Sequence, residues 1–140
     1  MEKIRIEPPD SWTFQTEMVV RVADLNYGNH VGNDRYFLYA QEARCRWLKS
    51  LGFENEIVVE PPIGTIVTEA SIQYLAEAYH GDTLVIKLGN SKVHRFGFDQ
   101  IYELTKGDIT IARIHQRLFF FDFNRRKIAS PSKDVIDKLI

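Results

Sequence analysis

The chain has 140 residues, with 26% charged and 44% hydrophobic side chains, the balance of one globular domain with its own core rather than of a disordered or fibrous chain. Eighteen Lys and Arg against 19 Asp and Glu leave a net charge of −1, which argues against nucleic acid or an anionic membrane as a partner held by bulk charge. Cys45 is the only cysteine, so an internal disulfide and zinc sites built on paired cysteines are excluded, and no run reaches the roughly 18 apolar residues of a membrane helix. One soluble, cytoplasmic domain over residues 1–140, without a membrane span, is expected.

Phe14, Thr16, Met18, Val20 and Val22 alternate with Gln15, Glu17 and Arg21, and this period of two reads as a half-buried strand. Asp24 to Asp34 follows as a polar loop with two glycines and three asparagines. Arg35 to Leu51 reads as a helix: Tyr36, Ala40, Ala43, Trp47 and Leu51 recur at three- and four-residue spacing, and Gly52 stands at the stop position. Asn33 or Asp34 is expected to cap its start. Phe37, Leu38 and Leu48 widen the apolar face, so the helix should be covered on more than one side.

After Pro61-Pro62 the pattern turns to strands: Ile66–Tyr74, Leu84–Leu88, Phe98–Leu104 and Ile109–Asp122. His80-Gly81-Asp82 and Thr105-Lys106-Gly107-Asp108 supply turns between them. Ser130-Pro131 introduces a short helix with Val135, Ile136 and Leu139 inward. A strand, a loop, one long helix and four consecutive strands make an α+β fold, its central helix wrapped by an antiparallel sheet of about five strands.

The segment from Arg21 through Tyr36 resembles the signature of the hotdog-fold thioesterases of the 4-hydroxybenzoyl-CoA thioesterase type. That signature runs roughly R-x-x-D-x-D-x-x-G-H-V-N-N-x-x-Y, then a helix ending near E-E-A-R. Arg21, Asp24, His30, Val31, Asn33 and Tyr36 match it, as does Glu42-Ala43-Arg44, and Gly81-Asp82 before an apolar strand is similar to the family's later strands. The likeness spans about Phe14 to Asp122. It implies the hotdog fold, hydrolysis of acyl-CoA or related thioesters without a cofactor, and homodimers or homotetramers with sites at the subunit interface. It also implies a thioester carbonyl held by a backbone N–H near Asn33, and a helix start, with free donors and a positive dipole end, suits a developing oxyanion. Asn33 reads equally as a cap alone.

Two carboxylates of the family pattern are absent here. The second Asp of D-x-D is Asn26, and the acid near the first Glu of E-E-A-R is Gln41. An amide neither takes a proton from water nor attacks a carbonyl at neutral pH. Asp34 then stands as the general base, with His30 sharing the proton or positioning the water, and Asn26 and Asn29 orienting water or thioester. The structural alternatives are an Asp34 that only caps the helix and a His30 bonded to backbone. Asp24 and Glu42 border the substrate, Asp24 chiefly holding the loop through backbone N–H groups and Glu42 open to pairing with Arg46 at i+4.

Lys92 and Arg95, beside His94 between the third and fourth strands, are candidates for the CoA phosphates, as is Arg125-Arg126-Lys127; each also reads as a solvated turn. His80, His94 and His115 lack metal-ligand spacing and are expected to be solvated or bonded to main chain. Cys45 reads as a helical core filler and Phe119-Phe120-Phe121 as core or subunit interface. The expected reaction is hydrolysis of a fatty or aromatic acyl-CoA by an activated water. A non-catalytic acyl-CoA-binding protein, and a hotdog hydratase or dehydratase using His30 with Asp34, are its rivals.

Overall fold

The computed structural model describes all 140 residues. Strand β1 (Phe14–Val19) leads through a 3-10 turn at Val22–Asp24 to helix α1 (Arg35–Ser50). Strands β2 (Ile63–Tyr74), β3 (Thr83–His94), β4 (Gly97–Lys106) and β5 (Ile109–Asp122) follow, then a two-residue strand β6 (Lys127–Ile128) and helix α2 (Lys133–Lys138). The five long strands form one antiparallel sheet in the order β1-β3-β4-β5-β2, and β6 pairs with the end of β5. β1 and β2 are therefore its two edges.

Alternation along the strands sorts core from outer face. Phe98, Gln100, Tyr102 and Leu104 of β4 are buried beside Ala112, Ile114, Gln116, Leu118 and Phe120 of β5. Tyr36, Ala40, Ala43 and Trp47 of α1 complete this layer. Trp47 stands edge-on to Phe98 at 6.3 Å, and Phe98 packs on Phe120 at 5.9 Å. The Trp47 side chain is 1% exposed and its indole N–H has no acceptor. Truncating it to Ala would cost about 3–5 kcal/mol, lost transfer energy plus the cavity left behind.

A line of polar groups crosses the same core. The buried Arg44 guanidinium donates to Tyr102 Oη at 3.0 Å, to Gln116 Oε1 at 2.6 Å and to Glu56 Oε2 at 2.8 Å. The Tyr102 hydroxyl donates to Gln100 Oε1, the Gln100 amide donates to Asn90 Oδ1 at 2.8 Å, and Asn90 donates to the Leu139 carbonyl. Every member is satisfied, so the line fastens α1 and the approach to β2 to the sheet and to α2. Removing Glu56 would strand a buried charge, a loss of about 3–5 kcal/mol.

The helix lies where the periodicity puts it, and β5 has the bounds read from sequence. β1 is shorter than expected. It ends at Val19 because Asp24 turns back to accept from the Arg21 backbone N–H at 3.0 Å, winding Val22–Asp24 into a 3-10 turn and leaving Val22 67% exposed. β3 is longer, running on to His94, because Gly89, Asn90 and Ser91 keep their ladder with β4 and a bulge follows. The sheet covers α1 on one side, and Leu38 on the other is 48% exposed. α2 begins behind Ser132, whose hydroxyl accepts from Val135 N–H, and it buries Val135 with Leu139 beyond its end.

Candidate active site

The loop between β1 and α1 is built from its first residue inward. Asp24 is 2% exposed and accepts from the Arg21 backbone, the Arg21 guanidinium and, at 2.8 Å, the Tyr39 hydroxyl. Burial alone would raise its carboxyl, but these hydrogen bonds outweigh it and hold the group below the usual carboxylate range. The same contact and burial push the Tyr39 hydroxyl far up. Asp24 is thus spent on structure, holding more than the backbone donor that the sequence suggested.

Beyond Asp24 the chain folds on itself through a bridge between Leu25 and Val31. Asn26 N–H donates to the His30 carbonyl and Asn29 N–H to the Asn26 carbonyl, both at 3.0 Å. Asn29 adopts φ 61°, a left-handed conformation that asparagine tolerates. The Asn26 side-chain oxygen accepts from Gly28 N–H at 2.8 Å, so this amide shapes the turn.

Two glycines leave room for the reactive candidates. A Cβ on Gly28 would lie 2.7 Å from His30 Nε2 and 3.2 Å from Asn26 Oδ1. A Cβ on Gly32 would lie 2.9 Å from Asp34 Oδ1. Bare backbone at Gly28 thus makes room for His30 and Asn26, and at Gly32 for Asp34.

Asp34 precedes α1, yet its side chain makes no cap hydrogen bond, which corrects the expected cap. Its φ −78° and ψ −21° are already helical, whereas a capping residue needs the extended conformation to aim its oxygen at the first turn. The Arg35 N–H closes on the Gly32 carbonyl instead, and the backbone N–H groups of Asn33 and Asp34 are left without an acceptor in the chain. The Asn33 carbonyl accepts from Tyr74 Oη at 2.8 Å. Burial, with the Asp34 charge second, raises the Tyr74 hydroxyl; burial, then Tyr74 and Glu77, pushes Tyr36 up to about 12. Both phenols therefore stay neutral beside the loop.

His30 Nδ1 lies 3.2 Å from the Val31 carbonyl, which can only accept, so this nitrogen carries the hydrogen. Nε2 faces Glu77 Oε1 at 3.9 Å, and the other oxygen of Glu77 accepts from Tyr79 Oη at 2.7 Å. Sequence reading missed Glu77, Tyr74 and Tyr79. Their signal is topological: His30 bridges to Tyr79, and Val31 N–H donates to the Ala78 carbonyl.

The other expected ligands of the substrate lie elsewhere. Glu42 pairs with Arg46 at 3.1 Å on the β1 flank of α1, and both line, with Asp24, Arg21, Leu38 and Tyr39, a groove of about 490 Å³. Neither His30 nor Asp34 lines that groove. Lys92 is part of a bulged β3 rather than a connecting turn, with φ 51° and its ammonium 3.9 Å from Asp99 on the outer face. Arg95 stacks 4.4 Å over the Phe96 ring. Lys92 lies nine residue steps along β3 from Thr83 at the loop end, roughly 30 Å of strand, so neither cation joins the loop within one chain.

His115 is bound to the Asp99 carboxylate at 2.9 Å, alongside Arg117, where main chain or solvent was expected. Gln41, at the other amide position, donates to Glu56 Oε1 at 3.3 Å.

A family model, the thioesterase-like superfamily, matches residues 20–139. The chain belongs to that superfamily. Its structural neighbours share the hotdog fold. A hypothetical protein from Aquifex aeolicus is 24% identical with a TM-score of 0.84, covering 91% of this chain and 100% of that one. A 1,4-dihydroxy-2-naphthoyl-CoA thioesterase from Synechocystis is 22% identical, TM-score 0.81, covering 90% and 94%. A hypothetical protein from Staphylococcus aureus in complex with CoA is 15% identical, TM-score 0.83, covering 96% and 85%. No helix of this superfamily member is long and apolar enough to cross a membrane.

Proposed function

We propose that the chain hydrolyses acyl-CoA thioesters, fatty or aromatic, as a homodimer or homotetramer whose site lies at a subunit interface. The observation that carries this reading is the pair of unbonded N–H groups at Asn33 and Asp34, at the start of α1 and on the same loop as His30. A thioester carbonyl resting there gains two donors and the positive helix end as its oxygen becomes negative. Asp34 and His30 share the proton taken from the attacking water, while Asn26 and Asn29 hold the turn that aims them. The reaction uses water and calls for no cofactor. The Synechocystis thioesterase and the CoA-bound Staphylococcus protein support CoA as the carrier. In one chain the loop is an open surface, and a second subunit would enclose it.

A non-catalytic acyl-CoA-binding role is the second reading, favoured by the amides Asn26 and Gln41 at the two family acid positions. Free-thiol release over a panel of acyl-CoAs of graded length separates the two. Release above the uncatalysed rate with at least one of them is the expected result. Tight CoA binding without any release would refute hydrolysis.

A further inference from the structure

We propose that Glu77, on the connection between β2 and β3, joins Asp34 and His30 as the carboxylate that holds the attacking water. This rests on the reading of the chain as a thioester hydrolase. The His30 hydrogen on Nδ1 is committed to Val31, so the neutral ring presents a lone pair at Nε2. Glu77 Oε1 lies 3.9 Å from that nitrogen, too far for a direct hydrogen bond, and accepts no hydrogen bond from the chain. One water fits the gap: an oxygen about 2.8 Å from both atoms subtends roughly 90° between them, near the angle of its own two O–H bonds. Each of its hydrogens then has an acceptor, and a lone pair is left for the carbonyl carbon.

Glu77 is 58% exposed, and an exposed pair held only by its side chains would be worth little. Its backbone fixes the approach. The Leu75 and Ala76 N–H groups both donate to the Ile111 carbonyl, and Ala78 is fully buried and takes the Val31 N–H at 2.9 Å. Tyr79 N–H is held by Asp82, which Lys106 grips at 2.8 Å. The Tyr79 hydroxyl then orients the carboxylate from its far side, leaving Oε1 toward His30. A carboxylate is thereby restored to a site whose position 26 is an amide, from a residue 47 positions after His30 in the chain.

The step balances with water alone. The water passes one hydrogen to His30 Nε2, keeps the other in a hydrogen bond to Glu77 Oε1, and adds its oxygen to the thioester carbonyl carbon. The oxyanion collapses, the C–S bond breaks, and the imidazolium returns the proton to the departing sulfur, giving acid and thiol.

The test compares hydrolysis with transfer to hydroxylamine, a nucleophile that needs no such positioning, using benzoyl-CoA and octanoyl-CoA as probes. Glu77→Gln should lower kcat for hydrolysis by about 10- to 100-fold with KM within about twofold, while hydroxamate formation falls far less. Tyr79→Phe should give a smaller loss of the same kind, about threefold, since the carboxylate remains but loses its orienting donor. The exposed side chain makes folding of Glu77→Gln secure, and an unchanged melting curve checks it. Hydrolysis at the parent rate, or hydrolysis and hydroxamate formation falling together, overturns the assignment of Glu77 alone. A parent protein inactive on every acyl-CoA overturns the thioesterase reading, and this proposal with it.

Discussion

The two edges of the sheet are opposites. β1 has six residues, and its outward Glu17 carbonyl is taken by Arg46 Nη1 at 2.9 Å, with Thr16 Oγ1 at 2.8 Å and Glu42 steadying the guanidinium. β2 has twelve residues; its outer side is taken by Glu56 and Glu60 at Ile63 and Thr65, but from Ile66 on it pairs with β5 alone and exposes Val67 (41%) and Tyr74 (48%). A free strand edge invites another strand, and proteins blunt the edges they do not use with charge and short length. The blunted edge here is β1. The open one ends at Tyr74, whose hydroxyl bonds to the loop that carries His30 and Asp34, so the second subunit proposed above would pair along β2 and close the site as it did so.

The harshest way to break this contrast is to charge the open edge. Val67→Glu should convert the oligomer to a species of 16.3 kDa and lower turnover by more than about 100-fold, because a site sharing two subunits loses its geometry. Sedimentation with thiol release on one sample checks it; a full-rate monomer would end the shared-site idea. Asp34→Asn should separate chemistry from assembly on that same side. Because Asp34 caps nothing, helix and oligomer should be intact while turnover drops by ~10²-fold. Parent-rate hydrolysis by that variant would remove Asp34 from the base pair.

Opening the closed edge should do less. Arg46→Ala loses a part-exposed pair worth about 0.5–1 kcal/mol and uncovers the Glu17 carbonyl. A slightly lower urea midpoint, together with new concentration-dependent association, is the expected outcome. Smallest is the acid response of the junction between β1 and the loop. Asp24 titrates below its unfolded value, so its stabilisation is complete above that unfolded value, near 3.8, and is lost as pH falls through the lower folded value. Asp24→Asn should flatten the stability profile in that acid window and leave its shape near neutrality unchanged, as urea midpoints across pH would show.

Much of this architecture is legible in residue order. The period of α1 and the alternation of β5 are strong because each buries one face against the other. The far half of β3 is not legible, because Gly89, Asn90 and Ser91 have turn chemistry and only the ladder with β4 overrides it. The loop residues Asn26, His30 and Asp34 are legible as a group, since nine positions of chain hold them. Glu77 is not. Nothing in its own neighbourhood marks it, and its approach to His30 exists only once β2 has crossed to the far edge and the connection to β3 has returned beneath the loop. Residue type alone offers Asn33 or Asp34 as the cap, and the helical backbone angles of Asp34 decide against it there.

The unpartnered indole of Trp47 has an optical consequence. An excited indole relaxes by turning polar neighbours toward its new dipole, and Trp47 is set among Phe98, Leu48 and the strands with almost none to turn. Its emission should sit far to the blue, while the half-exposed Trp12 emits to the red of it. The separation of the two bands thus reports how tightly α1 grips the sheet. Ligand, acid or a substitution in the loop can be followed by that colour alone, without a label, on the helix whose first turn carries the site.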